Sequence, residues 1–266
     1  MVCQMQIIKN NPKKNFEKIK DYFILAEKNN CDFISFPEYC DGFFCVENFV
    51  IGKNERFVKS MQFASKKHNV NAIFATLRFH GDVFLNTAFF INNKGKLQGS
   101  YDKISLVKYS EQGKLRKGRA IKCFETEFGK IGMLVCRDIL YPQISAELSK
   151  KDAKILFCPS YWSYDSSSYS SNKTLLENFP PAADIETINT ITKARAIENE
   201  IFFVFSNAAG VNKGRGWFEH LAGNSQICAP LHGSLSKFNH AYEGYIIHEL
   251  DFNILEDSKE TFSINR

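Results

Sequence analysis

The stretch that decides the fold is "GMLVCRDILYPQISAELSKKDAKILFCPS", residues 132–160. The apolar run Met133-Leu134-Val135 delivers a thiol, Cys136, to the charged pair Arg137-Asp138. Pro142 then opens a helix that runs to about Lys150, because proline suits the first helical position, where no N–H is needed. "KILFCPS" (154–160) follows as a compact buried strand. Strand, helix and strand in succession form the unit of a layered α/β fold.

The same alternation extends outward in both directions. "VCQMQII" (2–8) is a short apolar strand, and Asn11-Pro12 supplies an N-cap and a first-turn proline for a helix to about Asn30. "DFISF" (32–36) is a buried strand, and 55–69 has helical spacing. "NAIFATLRF" (71–79) and "VFLNTAFFI" (83–91) flank a turn at His80-Gly81-Asp82. "AIKCFETEFGKIGMLVC" (120–136) reads as a hairpin turning at Phe128-Gly129 into a strand that ends at Cys136. Beyond 160, a helix over 185–199 and a strand at 201–210 precede hairpin-like strands around 223–229 and 242–250. No linker divides the chain, so residues 1–266 read as one α/β domain. "YWSYDSSSYSSNKTLLENFPP" (161–181) is too long for an ordinary connection and is expected to be a lid or a surface excursion.

The bulk numbers narrow the function. The chain has 266 residues, is 44% hydrophobic and contains 25 phenylalanines, enough for a large core. Its net charge of +5 is spread without a contiguous block of five or six like charges, so neither nucleic acid nor a membrane surface is expected as a partner. No apolar run approaches the roughly 18 residues of a spanning helix, and the first residues lack a signal-peptide core. A cytoplasmic protein is expected. Its eight cysteines are then read as free thiols. Cys31, Cys40 and Cys45 cluster loosely, but their spacing fits no zinc pattern.

Three strand ends carry chemistry. Glu38 follows "DFISFP", Lys103 follows "GSYD", and Cys136 follows "GMLV". Side chains at the carboxyl ends of strands point into crevices. A carboxylate can take the proton of a thiol, and an ammonium can stabilise both the thiolate and the oxyanion formed when it attacks a carbonyl. The backbone N–H of Arg137 is a second candidate oxyanion donor if a helix begins there. Taken singly, Glu38 reads as a loop carboxylate, Lys103 as a surface lysine and Cys136 as a packed thiol.

"FPEY" (36–39), "YDKISL" (101–106) and "GMLVCRDILYP" (132–142), in this order, resemble the signature segments of the nitrilase superfamily, the carbon–nitrogen hydrolases. "KARAIENEIFFVFSNAAG" and "LAGNSQICAPLHG" are similar to its later segments, so the resemblance covers nearly the whole chain. It implies a four-layer α-β-β-α sandwich that pairs with a second copy across its helices. It implies a Glu–Lys–Cys triad at Glu38, Lys103 and Cys136, and a further glutamate at Glu111 that orients the lysine and the substrate amine. It implies hydrolysis of a small amide or N-carbamoyl compound through an acyl-thioester, with no metal and no organic cofactor.

One departure concerns substrate. The residue after the nucleophile is often aromatic in relatives that resemble general small-amide hydrolases, and here it is Arg137. Arginine suits bidentate recognition of a carboxylate. The alternative is that Arg137 pairs with Asp138 or another local acid and only shapes the elbow. Tyr161 and Trp162, nearest the end of the following strand, are expected to add substrate contacts. Three other readings stay open: a nitrile as substrate, a non-enzymatic binding scaffold, and a thiol redox protein with Cys123 or Cys158 as resolving thiol.

Overall fold

The computed structural model describes residues 1–43, 46, 53–108, 110–166 and 182–264. Within them the expected alternation is present. Strands β1 (Val2–Gln4), β2 (Phe33–Glu38), β3 (Asn71–His80), β4 (Val83–Ile91) and β5 (Leu97–Asp102) are interleaved with helices α1 (Pro12–Lys28) and α2 (Lys53–His68). Asn11 caps α1 by accepting from Lys14 N–H, with proline in the first turn, as its sequence implies. After β6 (Cys123–Phe124) and β7 (Lys130–Met133) come a 3-10 turn (Cys136–Leu140), α3 (Pro142–Lys150), β8 (Ala153–Ser160) and β9 (Ser163–Ser166). Next are α4 (Ala182–Asn199), β10 (Phe202–Asn207), β11 (Val211–Gly214), β12 (Trp217–Leu221), β13 (Gln226–Ala229), β14 (Gly233–Lys237), β15 (Gly244–Ile246) and α5 (Asn253–Phe262).

Two six-stranded sheets form, ordered β15-β1-β2-β3-β4-β5 and β14-β13-β10-β8-β7-β6. They stack face to face: β1 and β2 pack on β10, and β2 and β3 on β8. Ser35 of β2 and Ser206 of β10 join hydroxyls across this interface. Helices α1 and α2 cover the outer face of the first sheet, where Phe23, Phe36, Phe57, Phe74 and Phe89 form much of the core. Helices α3 and α4 cover the second sheet. The layers run α-β-β-α. The central strands β8 and β10 are parallel neighbours and buried on both faces, which is why they read as continuous apolar runs. Gly132 of β7 has no side chain because a Cβ there would lie 2.5 Å from the Leu156 side chain and 2.9 Å from that of Leu148.

The boundaries differ from the sequence expectation in three places, each for a visible reason. Strand β1 stops at Gln4 rather than Ile8, because the Asn15 side chain takes both the N–H and the C=O of Ile8, at 2.8 Å each. Strand β7 ends at Met133, not Cys136, because the Asp138 carboxylate takes the Val135 N–H at 3.1 Å. The 242–250 segment is not a hairpin: only Gly244–Ile246 is strand, and it pairs antiparallel with β1, whose three residues set its length. A third, small sheet, β11-β12-β9, was not anticipated. It takes in Ser163–Ser166 from the expected lid, while residues 167–181 of that segment, like Cys45, lie outside the described residues. No described helix is long and apolar enough to cross a membrane.

Candidate active site

The parallel strands of both sheets point their carboxyl ends to one edge, and there the three sequence-predicted side chains meet. Strand β2 carries a register shift between Ser35 and Glu38, with Pro37 inside it. Proline has no N–H to give to a ladder, so it tolerates such a bulge, and bulges re-aim side chains. Glu38 is thereby turned inward and is 1% exposed. Lys103 follows β5, held by its N–H to Asn86 O at 2.8 Å and by its own carbonyl, which accepts from Gly118 N–H at 2.8 Å.

The Lys103 ammonium donates to Glu38 Oε1 at 2.8 Å and to Glu111 Oε1 at 3.0 Å. All three side chains are buried. Glu111 is fixed by the Val107 N–H on its Oε2 at 2.8 Å and by the Tyr39 hydroxyl on its Oε1 at 2.6 Å. A buried ion pair is stable only when further hydrogen bonds satisfy the remaining lone pairs of its carboxylates. Asn86, which sequence reasoning missed, donates to them here. Its Nδ2 lies 2.6 Å from Glu38 Oε1, 2.8 Å from Glu111 Oε1 and 2.9 Å from the Tyr39 hydroxyl. The available signal was an asparagine inside the otherwise apolar strand "VFLNTAFFI".

Cys136 occupies the elbow between β7 and the 3-10 turn. Its φ is +47°, in the left-handed region that non-glycine residues adopt uncommonly. Asp138 holds the elbow closed. Its Oδ2 accepts from the Tyr101 hydroxyl at 2.8 Å and from Val135 N–H at 3.1 Å, and its Oδ1 from Ser105 N–H at 2.7 Å. One carboxylate therefore ties the Cys136 turn to the segment just after Lys103. Burial pushes the Asp138 carboxyl up to about 6 despite these bonds. Asp138→Asn puts an amide donor against one of those three donors. We expect a stability loss of about 1–3 kcal/mol, from a buried donor left unpaired, and a fall in turnover with little change in KM. Chemical denaturation together with steady-state kinetics checks both.

The charges in the site are divided unequally. Burial and the neighbouring Glu111 carboxylate raise Glu38 above its ordinary value, against the pull of Lys103. Burial also raises Glu111, but Lys103 and the hydrogen bonds from Tyr39 and Val107 outweigh it and hold this group below the ordinary range. Lys103 is depressed by burial, yet the two carboxylates outweigh that and keep it charged. The Cys136 thiol is pushed up by burial and by Glu38, opposed by Lys103 and by the Tyr161 N–H. That same N–H donates to Glu38 Oε2 at 2.9 Å. Carboxylates driven in opposite directions mark different jobs: the raised one exchanges protons and the lowered one stays an anchor.

The other expected residues fall around this centre. Arg137 does not pair with Asp138, whose oxygens are taken, and it forms no ion pair among the described residues. Its Nε is buried without a partner. Ser105 and then Arg137 lower the hydroxyl pKa of the exposed Tyr141. Tyr161 packs edge-on against Tyr39 at 6.1 Å, and its hydroxyl donates to Glu219 at 2.6 Å and accepts from Asn212 at 2.8 Å. Trp162 is tied by its indole N–H to Asp184 at 2.8 Å and by its backbone N–H to Asn207 at 2.9 Å. Among the described residues, no group of three or more His, Cys, Asp or Glu is placed to hold a metal ion.

A sequence profile described as carbon–nitrogen hydrolase matches residues 2–260. This chain belongs to the carbon–nitrogen hydrolase family. A probable nitrilase of Schizosaccharomyces pombe is 27% identical to this hydrolase over 93% of the chain and 85% of that protein. The 2-oxoglutaramate amidase of Bacillus subtilis is 24% identical over 98% and 93%. Among solved structures, an amidase from Nesterenkonia sp. AN1, with acrylamide added to its active-site cysteine, superposes with a TM-score of 0.77. It covers 99% of this hydrolase and 97% of itself, at 16% identity, which is a likeness of fold.

Proposed function

We propose that this hydrolase cleaves the C–N bond of a small amide or N-carbamoyl compound through a covalent Cys136 acyl-thioester. The observation that carries the reading is the buried Lys103 ammonium, bonded at once to the raised Glu38 and the lowered Glu111, beside a thiol on a left-handed elbow. In water a thiol and a carboxylate differ by roughly four pKa units, so the carboxylate is a poor base for it. Raising Glu38 makes it a stronger base, and Lys103 and the Tyr161 N–H oppose the rise of the Cys136 thiol.

Glu38 takes the Cys136 proton as sulfur attacks the amide carbon. The carbonyl electron pair moves to oxygen, and the oxyanion is held by Lys103 and by the Arg137 N–H. As the C–N bond breaks, Glu38 returns the proton to nitrogen, and ammonia or an amine departs. Glu38, again a base, then takes a proton from water. The water oxygen attacks the thioester, and the acid and the free thiol are released. Two oxyanion donors account for several kcal/mol of barrier at about 3–4 kcal/mol each. Glu111 stays ionised throughout and fixes the lysine, and Tyr161 and Trp162 line the approach.

Arg137 gives the pocket a preference for a substrate carboxylate, as in a dicarboxylic-acid monoamide or an N-carbamoyl amino acid. Arg137→Ala is expected to raise KM for acidic amides by about tenfold or more, the scale of one lost charge-assisted hydrogen bond, and to leave neutral amides nearly unchanged. Equal effects on both would make Arg137 a residue of the elbow alone. Cys158 argues against the redox reading: burial pushes its thiol up to about 12, a poor resolving thiolate at neutral pH. We place the enzyme in the cytoplasm as a homodimer paired across α3 and α4, and sedimentation at micromolar concentration tests the pairing. The deciding experiment is ammonia release from a panel of amides, carbamoyl compounds and nitriles. Release from amides supports the reading, release from nitriles alone replaces it, and loss of a cysteine-bound acyl mass in Cys136→Ala identifies the nucleophile.

A further inference from the structure

A cleft of about 410 Å³ lies beside β5, on the far side of that strand from the catalytic residues. Side chains alternate along a strand. Tyr101 points between the sheets to Asp138, while its neighbours Ser100 and Asp102 face the cleft. Its other wall is the segment after Glu111, "GKLRKGRAIK" (113–122), which contributes Arg116, Lys117, Arg119 and Lys122. This segment is a concentration of charge that a search for contiguous blocks passes over: five cations in nine residues with no acid among them, from Lys114 to Lys122.

The cleft is electrostatically uncompensated. Arg116, Lys117, Arg119 and Lys122 form no ion pair among the described residues. The lining holds one acid, Asp102, and its charge is already engaged. Arg78 Nη2 sits 3.0 and 3.1 Å from its two oxygens, and Thr87 donates to it at 2.7 Å. The cleft therefore gathers four cations against one acid that Arg78 already neutralises. The wall is also built to stay in place. Gly118 N–H donates to Lys103 O, and a Cβ on Gly118 would meet the Asp102 carbonyl oxygen at 1.8 Å, so the strap lies flat against the strand. Arg116 N–H donates to Phe84 O at 2.8 Å.

We propose that this cleft is a binding site for a small phosphoryl-bearing molecule. Arginine forks match the oxygens of a phosphoryl group bidentately, and lysines add point charge. A monocarboxylate would leave most of the positive charge unanswered, whereas a diphosphate answers nearly all of it. The volume suits a metabolite, and the cations gather in one cleft rather than along a stripe that a nucleic-acid backbone could follow.

Inorganic pyrophosphate is the probe, titrated calorimetrically into the intact protein at a fixed ionic strength of about 0.15 M, where diffuse surface attraction is screened. One saturable site per chain is expected, with a thermal midpoint that rises with ligand concentration. The double variant Arg119→Gln/Lys122→Gln, at exposed positions outside the catalytic centre, should weaken binding by at least about tenfold. The same change at Lys14 and Lys20 on α1 should leave it intact. Ammonia release by the double variant should stay at the parent level, which separates this site from the amide reading. Four results would overturn the proposal: no saturation by about 10 mM, several weak sites per chain, binding indifferent to Arg119 and Lys122, or tighter binding of a single-stranded oligonucleotide than of pyrophosphate.

Discussion

Cys136→Ala yields a folded protein that no longer turns over amide. The substitution removes one sulfur from a buried elbow, and a single buried heavy atom is worth about 1 kcal/mol, so the denaturation midpoint should move little. Alanine has the same difficulty as cysteine at a φ of +47°, so backbone strain is unchanged. Turnover should fall by roughly 10⁴-fold or more, the scale seen when a covalent nucleophile is removed and only binding and oxyanion stabilisation remain. Ammonia release beside intact-mass spectrometry reads both consequences at once: no product and no acyl adduct. Activity within about tenfold of the parent would remove Cys136 from the chemistry and return it to the role of a packed thiol.

Lys103→Ala has the second-largest expected effect, and it differs in kind because it strikes stability as well. The substitution leaves Glu38 and Glu111 facing each other, buried, with no cation between them. Losing one partner of a buried ionic group costs about 3–5 kcal/mol. The loss should depend on pH in a definite sense. Without the lysine, burial and mutual repulsion raise both carboxyls in the folded state. Protonation then favours folding, so the variant is least destabilised near and below the unfolded carboxyl value. It loses stability as pH rises through the raised folded values. Turnover should fall by at least about 10²–10³-fold, the cost of one oxyanion donor. Denaturant melts between pH 4.5 and 8 separate the two effects. A variant as stable as the parent across that range, and as active, would dissolve the triad.

The meeting of Glu38, Lys103 and Cys136 was legible because each follows a strand, and strand ends are where the sequence pattern leaves clear marks. Pro37 before Glu38 and Pro142 after the elbow punctuate those ends. What the sequence concealed were partners distant along the chain. Asn86 lies 48 residues from Glu38 and 25 from Glu111, and nothing local to "FLNTAF" says that its amide would bridge them. Asp138 was visible only as the neighbour of Arg137. The suggested pair between them fails because Tyr101, Ser105 and Val135 claim both carboxylate oxygens. The three-stranded sheet β11-β12-β9 was hidden for the same reason, since β9 lies in a Ser- and Tyr-rich stretch whose pairing partner is some 50 residues on. Boundary errors came from side chains that intercept a ladder, Asn15 at β1 and Asp138 at β7.

The pairing of β1 with β15 bears on how the chain is made. Val2–Gln4 finds its outer neighbour at Gly244–Ile246, and the Gln4 side chain donates to the carbonyls of His240 and Tyr242, at sequence separations of 236 and 238. During synthesis β1 therefore leaves the ribosome some 240 residues before the strand it pairs with. Until residue 246 emerges, β1 presents an open row of backbone donors and acceptors to the solvent and to other nascent chains. Such edges template intermolecular pairing, and contacts this remote in sequence form slowly. Yield from recombinant expression should accordingly be limited by encounters between incomplete chains, and slowing translation or lowering temperature should favour the native pairing over aggregation.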